Sequence, residues 1–188
     1  MGRLFGTDGA RGVANAELTP ELAMYIGRAA AMVLISDEVE HPTILIGKDT
    51  RLSGDMLEGA LIAGLCSVGA NVHILGVVPT PAVAYLVGKY NADIFICCGC
   101  IRNNMVKYDF FNSVFEGIGE LASVRTENIG RVTYDTEAAD LYIDHLVSAV
   151  DCDFEGMEIA LDCSNGSSSR TAEKLMFTNI LLQFAHMS

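Results

Sequence analysis

The chain has 188 residues, of which 12 are basic and 24 acidic, so its formal net charge is −12. Hydrophobic residues make up 51% of it, which is too apolar for a disordered chain and enough for a packed core. A pI near 4.6 argues against nucleic acid as a partner, because phosphate backbones attract clustered Lys and Arg. The sequence has no apolar run of the roughly 18 to 20 residues that span a membrane, and no signal-peptide pattern at its start. We therefore expect a cytoplasmic protein with no membrane partner.

Helix and strand signals alternate after a glycine-rich stretch at residues 5–12. Thr19, Pro20 and Glu21 have the order typical of a helix start, and the apolar spacing that follows predicts a helix near 20–35. Further helices are predicted near 53–69 and 82–90, and buried strands at 43–46, 72–75 and 94–96. This alternation is typical of βαβ units. It predicts a three-layer α/β/α domain with a mainly parallel mixed sheet.

The pattern changes beyond Asn112. Residues 113–134 show no clear period, and we interpret them as an irregular segment that closes a first domain at 1–134. A helix over about 136–149, a strand at 159–161 and a helix from about Ser169 are predicted next. We interpret residues 135–188 as a linking helix and the truncated start of a second α/β domain, because one strand and one helix cannot close a core.

Two polar segments follow predicted strands, at 47–51 and 97–104. Ligands of parallel sheets lie at the carboxyl ends of strands, where both segments would fall. Lys48 and Arg51, together with Arg11 in the glycine-rich stretch, could supply positive charge to a phosphate. The alternative is that Arg11 and Arg51 pair with Asp8 and Asp49 and only fix their loops. The residues alone leave both interpretations open.

Four stretches together resemble the α-D-phosphohexomutase superfamily, and within it the phosphoglucosamine mutases. They read FGTDGARG at 5–12, GKDTRLSGDML at 47–57, LGVVPTPAV at 75–83 and LDCSNG at 161–166, in the family's order. The resemblance covers most of residues 2–175. It implies interconversion of glucosamine 6-phosphate and 1-phosphate through a phosphoserine and Mg²⁺, with a phosphorylated amino sugar as the bound molecule. The phosphate-binding residues that it implies are Thr7, Asp8, Gly9, Arg11 and Lys48.

The sequence departs from the family at the position of the phosphoserine loop. No serine occurs between residues 97 and 112. The residues in place of that loop are Cys97, Cys98, Gly99, Cys100, Arg102 and Asn104. The family's metal-binding aspartate loop, sugar-selecting loop and distal phosphate-binding loop match nothing in the 188 residues. Mg²⁺ is therefore implied by the resemblance alone, and we assign no metal ligand and no catalytic serine.

Three classes of function stay open at this point. The first is a phosphoglucosamine mutase represented by its first domain and the beginning of its second. The second is a catalytically inactive remnant, or a phosphate- or phosphosugar-binding module of the same fold. The third is a thiol-based metal or redox protein that uses the cysteine trio, with His73 as a fourth ligand. We expect the isolated chain to be inactive, and the sequence carries no signal for an oligomeric state.

Overall fold

A computed structural model describes residue 10 and residues 12–35, 39–98, 126–150 and 157–186. The helices in these ranges are α1 (Pro20–Leu34), α2 (Ser53–Ser67), α3 (Thr80–Tyr90), α4 (Ala138–Ala149) and α5 (Ser169–His186). The strands are β1 (Thr43–Lys48), β2 (Asn71–Val77), β3 (Ile94–Cys98) and β4 (Val132–Tyr134). The predicted helices near 20–35, 53–69 and 82–90 and the first three strands are confirmed. None of the helices in these ranges is both long and apolar enough to cross a lipid bilayer.

The four strands form one sheet in the order β3-β1-β2-β4, and each neighbouring pair is parallel. Helix α2 connects β1 to β2, and α3 connects β2 to β3. In the centre of the sheet Ile46 lies opposite Ile74 on one side and Ile96 on the other. The carboxyl ends of β1 and β3 therefore meet at one edge, as the predicted parallel sheet requires.

Alternate residues of the strands face two separate hydrophobic cores. Ile44 and Ile46 of β1 lie in the core that contains α1 and α2. Leu45 lies between them in sequence and belongs to the core that contains α3, Phe95 and Ala138 of α4. Successive side chains of a strand point to opposite faces of the sheet, so this partition shows helices packed on both faces. The three-layer α/β/α architecture is confirmed.

Helices α1 and α2 begin differently. The Thr19 hydroxyl accepts a hydrogen bond from the Leu22 amide at 3.2 Å, and Pro20 occupies the first turn. A threonine cap of this kind stabilises a helix by about 1 kcal/mol. Helix α2 has Leu52 at its N-cap position and no side-chain cap, and Ser53 is its first helical residue.

Helices α1 and α2 approach each other through glycines. A Cβ atom at Gly64 of α2 would overlap the backbone carbonyl of Met24 in α1, and one at Gly27 would lie 2.7 Å from the Leu61 carbonyl oxygen. Both positions are buried. The crossing of the two helices therefore depends on hydrogen in place of a side chain at each position.

Replacing Gly64→Ala should lower the free energy of unfolding by about 1–3 kcal/mol, because the added methyl forces two helix backbones apart. The matched control is Gly59→Ala on the exposed side of the same helix, where a Cβ meets nothing within 4 Å. This control should raise stability by about 0.5–1 kcal/mol through helix propensity. Urea unfolding followed by circular dichroism measures both, and equal stability of Gly64→Ala and the parent would contradict the close crossing.

The prediction of an irregular segment over 113–134 is wrong at its end. Residues 113–125 lie outside the described residues, Thr126–Asn128 forms a 3-10 turn, and Val132–Tyr134 forms β4. This strand pairs with Val72, His73 and Ile74 of β2. All three of its side chains are exposed, so it lacks the buried alternating pattern by which a sequence reveals a strand. Backbone pairing along β2, rather than side-chain burial, forms it.

The predicted strand at 159–161 is also wrong. Residues 157–163 form no regular element, and Ile159 and Leu161 are about half exposed. A strand needs a neighbour for its backbone groups, and the described residues supply none here. The helix that follows does begin at Ser169, as predicted. The division of the chain into domains 1–134 and 135–188 stays a prediction.

Candidate functional site

The carboxyl ends of β1 and β3 form a fixed base for the segments that follow them. Lys48 and Cys98 are register partners at the last rung of the two strands. Beyond this rung the Asp49 amide donates to the Cys98 carbonyl at 3.3 Å, and the Val78 amide donates to the Lys48 carbonyl at 3.2 Å. Residues 49–52, called here the β1 loop, therefore begin at a strand end whose backbone is hydrogen-bonded to β3 on one side and to Val78 on the other.

The ammonium of Lys48 bonds two carboxylates of α2. Its Nζ donates to Asp55 Oδ1 at 2.7 Å and to Glu58 Oε2 at 2.6 Å. Burial lowers the pKa of Lys48, but the hydrogen bonds that it donates to Asp55 and Glu58 and the charges of these carboxylates outweigh burial, so the pKa is raised overall. The same hydrogen bond and the charge of Lys48 lower the pKa of Asp55. The ammonium thus stays charged and is balanced within the protein.

Glu58 is the buried member of this group. Only 8% of the residue is exposed, and its Oε1 has no hydrogen-bond partner among the described residues. An ionised carboxylate at such a position is costly unless a cation lies beside it. Lys48 is that cation, so the contact joins the end of β1 to the second turn of α2.

Asp49 organises the β1 loop from within. Its Oδ1 accepts the Arg51 amide at 3.0 Å, and its Oδ2 lies 3.3 Å from Arg51 Nε. The Gly54 amide donates to the Arg51 carbonyl at 2.9 Å and ties the loop to α2. The Arg51 side chain nevertheless stays 71% exposed, whereas that of Lys48 is 17% exposed.

The β1 loop also contacts the loop before α5, which carries another stretch of the resemblance. The Thr50 hydroxyl donates to the Asn165 carbonyl. In that second loop Asp162 Oδ1 accepts the Ser164 amide at 2.9 Å, and the Gly166 amide donates to the Cys163 carbonyl at 2.9 Å. Stretches 47–57 and 161–166, far apart in sequence, are therefore neighbours in the fold.

The two described cysteines of the trio are buried on opposite faces of β3. Cys98 lies in the core beneath α1 and α2, and Cys97 Sγ accepts a hydrogen bond from the Thr80 hydroxyl at 3.6 Å on the α3 side. Burial raises the pKa of the Cys98 thiol far above its usual range, and the charge of Glu58 raises it further. A thiolate nucleophile needs the opposite shift. The geometry therefore does not favour Cys98 as a replacement for a serine.

Mg²⁺ does not fit the described residues. No group of three or more His, Cys, Asp or Glu side chains within the described ranges lies close enough together to hold a metal. The carboxylates nearest the site, Asp49, Asp55 and Glu58, are bonded to Arg51 or Lys48. We therefore derive no step that passes through a metal ion.

The structure describes only part of the predicted site. Lys48, Cys97 and Cys98 are brought together at one sheet edge. The other predicted residues lie outside the described residues: Thr7, Asp8, Gly9, Arg11, Gly99, Cys100, Arg102 and Asn104. Sequence reasoning missed Glu58. This acid lies between Leu57 and Leu61, which are both buried, and three residues after Asp55. That position is a recognisable signal for a buried acid that needs a cation.

Comparison with known proteins supports the resemblance. The family described as phosphoglucomutase/phosphomannomutase, alpha/beta/alpha domain I, matches residues 2–113. The chain belongs to this family. It is 45% identical over 197 residues to a phosphoglucosamine mutase of Ruminiclostridium cellulolyticum, covering 94% of this chain and 43% of that protein. It is 46% identical over 194 residues to a phosphoglucosamine mutase of Clostridium novyi, covering 92% and 42%.

The family likeness extends to a solved structure. A phosphoglucomutase/phosphomannomutase family protein from Burkholderia thailandensis matches with a TM-score of 0.69 at 21% identity, over 94% of this chain and 42% of that chain. At this identity the match shows the fold alone. In length the chain spans about 43% of the curated relatives that it matches.

Proposed function

We propose that the chain is the first domain and the start of the second domain of a phosphoglucosamine mutase, an isomerase that interconverts glucosamine 6-phosphate and glucosamine 1-phosphate. The observation that carries the proposal is the 45% identity to a phosphoglucosamine mutase over 94% of the chain. A phosphorylated amino sugar as the bound molecule, Mg²⁺ as the cofactor of the whole enzyme and a cytoplasmic location belong to the same proposal.

In this proposal the described residues build the platform for a phosphate-binding loop. Phosphoryl transfer is catalysed mainly by positioning and by positive charge around the phosphate oxygens. Residues Thr7, Asp8, Gly9 and Arg11 are proposed to contact the phosphate, with Arg11 supplying the charge. The parallel sheet gathers the ends of β1 and β3 at one edge, where ligands of such sheets bind.

A second candidate is a binding module that holds a phosphosugar without transferring its phosphoryl group. One observation favours it: residues 97–112 contain no serine, and the two described cysteines in that stretch are buried. Both candidates require phosphate recognition, and they differ in turnover alone.

Arg11→Ala should weaken binding of glucosamine 6-phosphate roughly 10- to 150-fold, because a charge-assisted hydrogen bond to phosphate contributes about 1.5–3 kcal/mol. Isothermal titration calorimetry with glucosamine 6-phosphate, inorganic phosphate and unphosphorylated glucosamine measures the effect and separates phosphate from sugar recognition. Arg131→Ala serves as the control, because this exposed arginine precedes β4 at the opposite edge of the sheet. Equal affinity in Arg11→Ala and the parent removes Arg11 from the site, and no phosphate binding by the parent contradicts the proposed function.

A further inference from the structure

The two cations described beside the site differ in what they can still bind. Lys48 Nζ is shared by two carboxylates at 2.6 and 2.7 Å, and its side chain is only 17% exposed. For Lys48 to meet a phosphate it would have to leave Glu58, whose buried carboxylate would then lose its cation. Desolvation makes that exchange unfavourable. Lys48, which the sequence analysis placed in the phosphate site, is thus already paired with carboxylates of the protein itself.

Most N–H donors of the Arg51 guanidinium bond nothing in the described part of the chain. A guanidinium carries five N–H donors, and Asp49 contacts this one only at Nε, at 3.3 Å. No other carboxylate or acceptor within the described ranges bonds its side chain. Within the described part of the chain no acceptor bonds the two terminal nitrogens, which form the fork that matches two oxygens of a phosphate, and the side chain is 71% exposed.

The loop that carries Arg51 is fixed along its length. Its first residue, Asp49, is bonded to β3 through Cys98, and its last turn is bonded to α2 through Gly54. Thr50 lies between them and contacts the carbonyl of Asn165. A guanidinium held by Asp49 on such a loop loses little conformational entropy when it binds an anion.

We propose that Arg51, rather than Lys48, is the cation of the β1 loop that contacts the phosphate group of the bound phosphosugar. The proposal rests on the proposed function, since it assumes a phosphorylated ligand at the carboxyl edge of the sheet. Lys48 has a structural role in it: with Glu58 it fixes the strand end from which the β1 loop departs.

The test compares three single variants of the 188-residue chain by calorimetric titration with glucosamine 6-phosphate and with inorganic phosphate. Arg51→Gln should bind both about tenfold more weakly, the lower end for a charge-assisted hydrogen bond because the side chain is largely exposed. Arg51→Lys should fall between this variant and the parent, since it keeps the charge but loses the fork. Arg131→Gln removes the same charge at the opposite edge and should bind as the parent does.

Unchanged affinity in Arg51→Gln overturns the inference while leaving the proposed function intact. An equal loss in Arg131→Gln overturns it as well, because the effect would then be one of net charge. A parent chain that binds neither probe overturns the proposed function and this inference together. Thermal unfolding of each variant accompanies the titrations, and all three should melt within a few degrees of the parent, because the replaced side chains are exposed.

Discussion

Lys48→Met should lower the free energy of unfolding by about 3 kcal/mol at pH 7, the lower end of the range for breaking a buried ion pair. The substitution keeps the length and apolar stem of the side chain but removes the charge that faces Glu58. That carboxylate is 8% exposed and already has one oxygen without a hydrogen-bond partner among the described residues. Without Lys48 it would be a buried charge with no described cation beside it. Urea unfolding followed by circular dichroism measures the loss.

Two further variants separate this cause from general damage to the fold. Replacing both partners, Lys48→Met together with Glu58→Met, should recover most of the lost stability, because a buried pair can be exchanged for apolar groups at little net cost. Asp55→Asn should change stability little, since the Asp55 side chain is 84% exposed and its ion pair is solvated. If the single variant Lys48→Met unfolds at the same urea concentration as the parent, Glu58 does not depend on Lys48.

The pKa shifts define the pH range over which this group stabilises the fold. The pKa of Lys48 is raised in the folded chain, so its contribution is complete below about pH 10.4 and is lost as the pH rises through the raised value. The pKa of Asp55 is lowered, so its contribution is present above about pH 3.9 and is lost as the pH falls through the lowered value. Near neutral pH, well inside both limits, we expect the difference in the free energy of unfolding between the parent and Lys48→Met to stay nearly constant.

The sequence predicts those parts of the fold that local chemistry determines. The hydroxyl and proline at Thr19 and Pro20 mark the start of α1, and the apolar run at Ile44, Leu45 and Ile46 marks a strand buried on both faces. In each case the residues carry their own signal, because capping and burial act on side chains that are adjacent or regularly spaced. The layer architecture follows from the alternation of such elements.

The sequence predicts poorly what depends on distant partners. Val132 and Tyr134 form a strand through backbone pairing with β2, to which their exposed side chains contribute no pattern. Conversely, Ile159 and Leu161 have the composition of a strand but no neighbouring strand among the described residues, and they stay outside regular structure. A strand forms only when two segments pair, and the sequence of one segment does not show whether a partner lies beside it.

The same limit applies to Lys48, whose role in phosphate binding stays a prediction. Its position after a buried strand is right for a phosphate-binding cation, and nothing in residues 47–51 indicates that α2 would present two carboxylates to it. Asp55 and Glu58 lie seven and ten residues further along, and only the return of α2 over the end of β1 brings them within 2.7 Å. The contacts of Arg51 are local by contrast, since its amide and its Nε both contact the carboxylate of Asp49, two residues earlier.

The 188-residue chain should not convert glucosamine 6-phosphate to glucosamine 1-phosphate, even with Mg²⁺ and a sugar bisphosphate present. No serine stands between residues 97 and 112 to carry the phosphoryl group. Deleting a covalent nucleophile typically reduces turnover by about 10⁴-fold or more. Cys98 is a poor substitute, because burial and the neighbouring Glu58 raise its pKa and keep it a thiol. The assayed polypeptide also corresponds to only about 43% of its relatives' length. Any group that the remaining length supplies to the sugar phosphate is absent from the assay, and positioning alone can account for about 7–11 kcal/mol of a barrier.

A coupled assay of the purified chain tests this expectation, with the phosphoglucosamine mutase of Clostridium novyi as the positive control under the same conditions. Intact mass spectrometry after incubation with the bisphosphate tests separately for a phosphoryl group on the protein. We expect no turnover above the uncatalysed rate and no phosphoryl adduct on the chain, with binding of glucosamine 6-phosphate retained. Turnover, or an adduct that maps to Cys97, Cys98 or Cys100, would mean that at least one of these thiols is accessible and reactive in solution. The cysteines would then be the nucleophiles of the chain, and the binding-module alternative would be excluded.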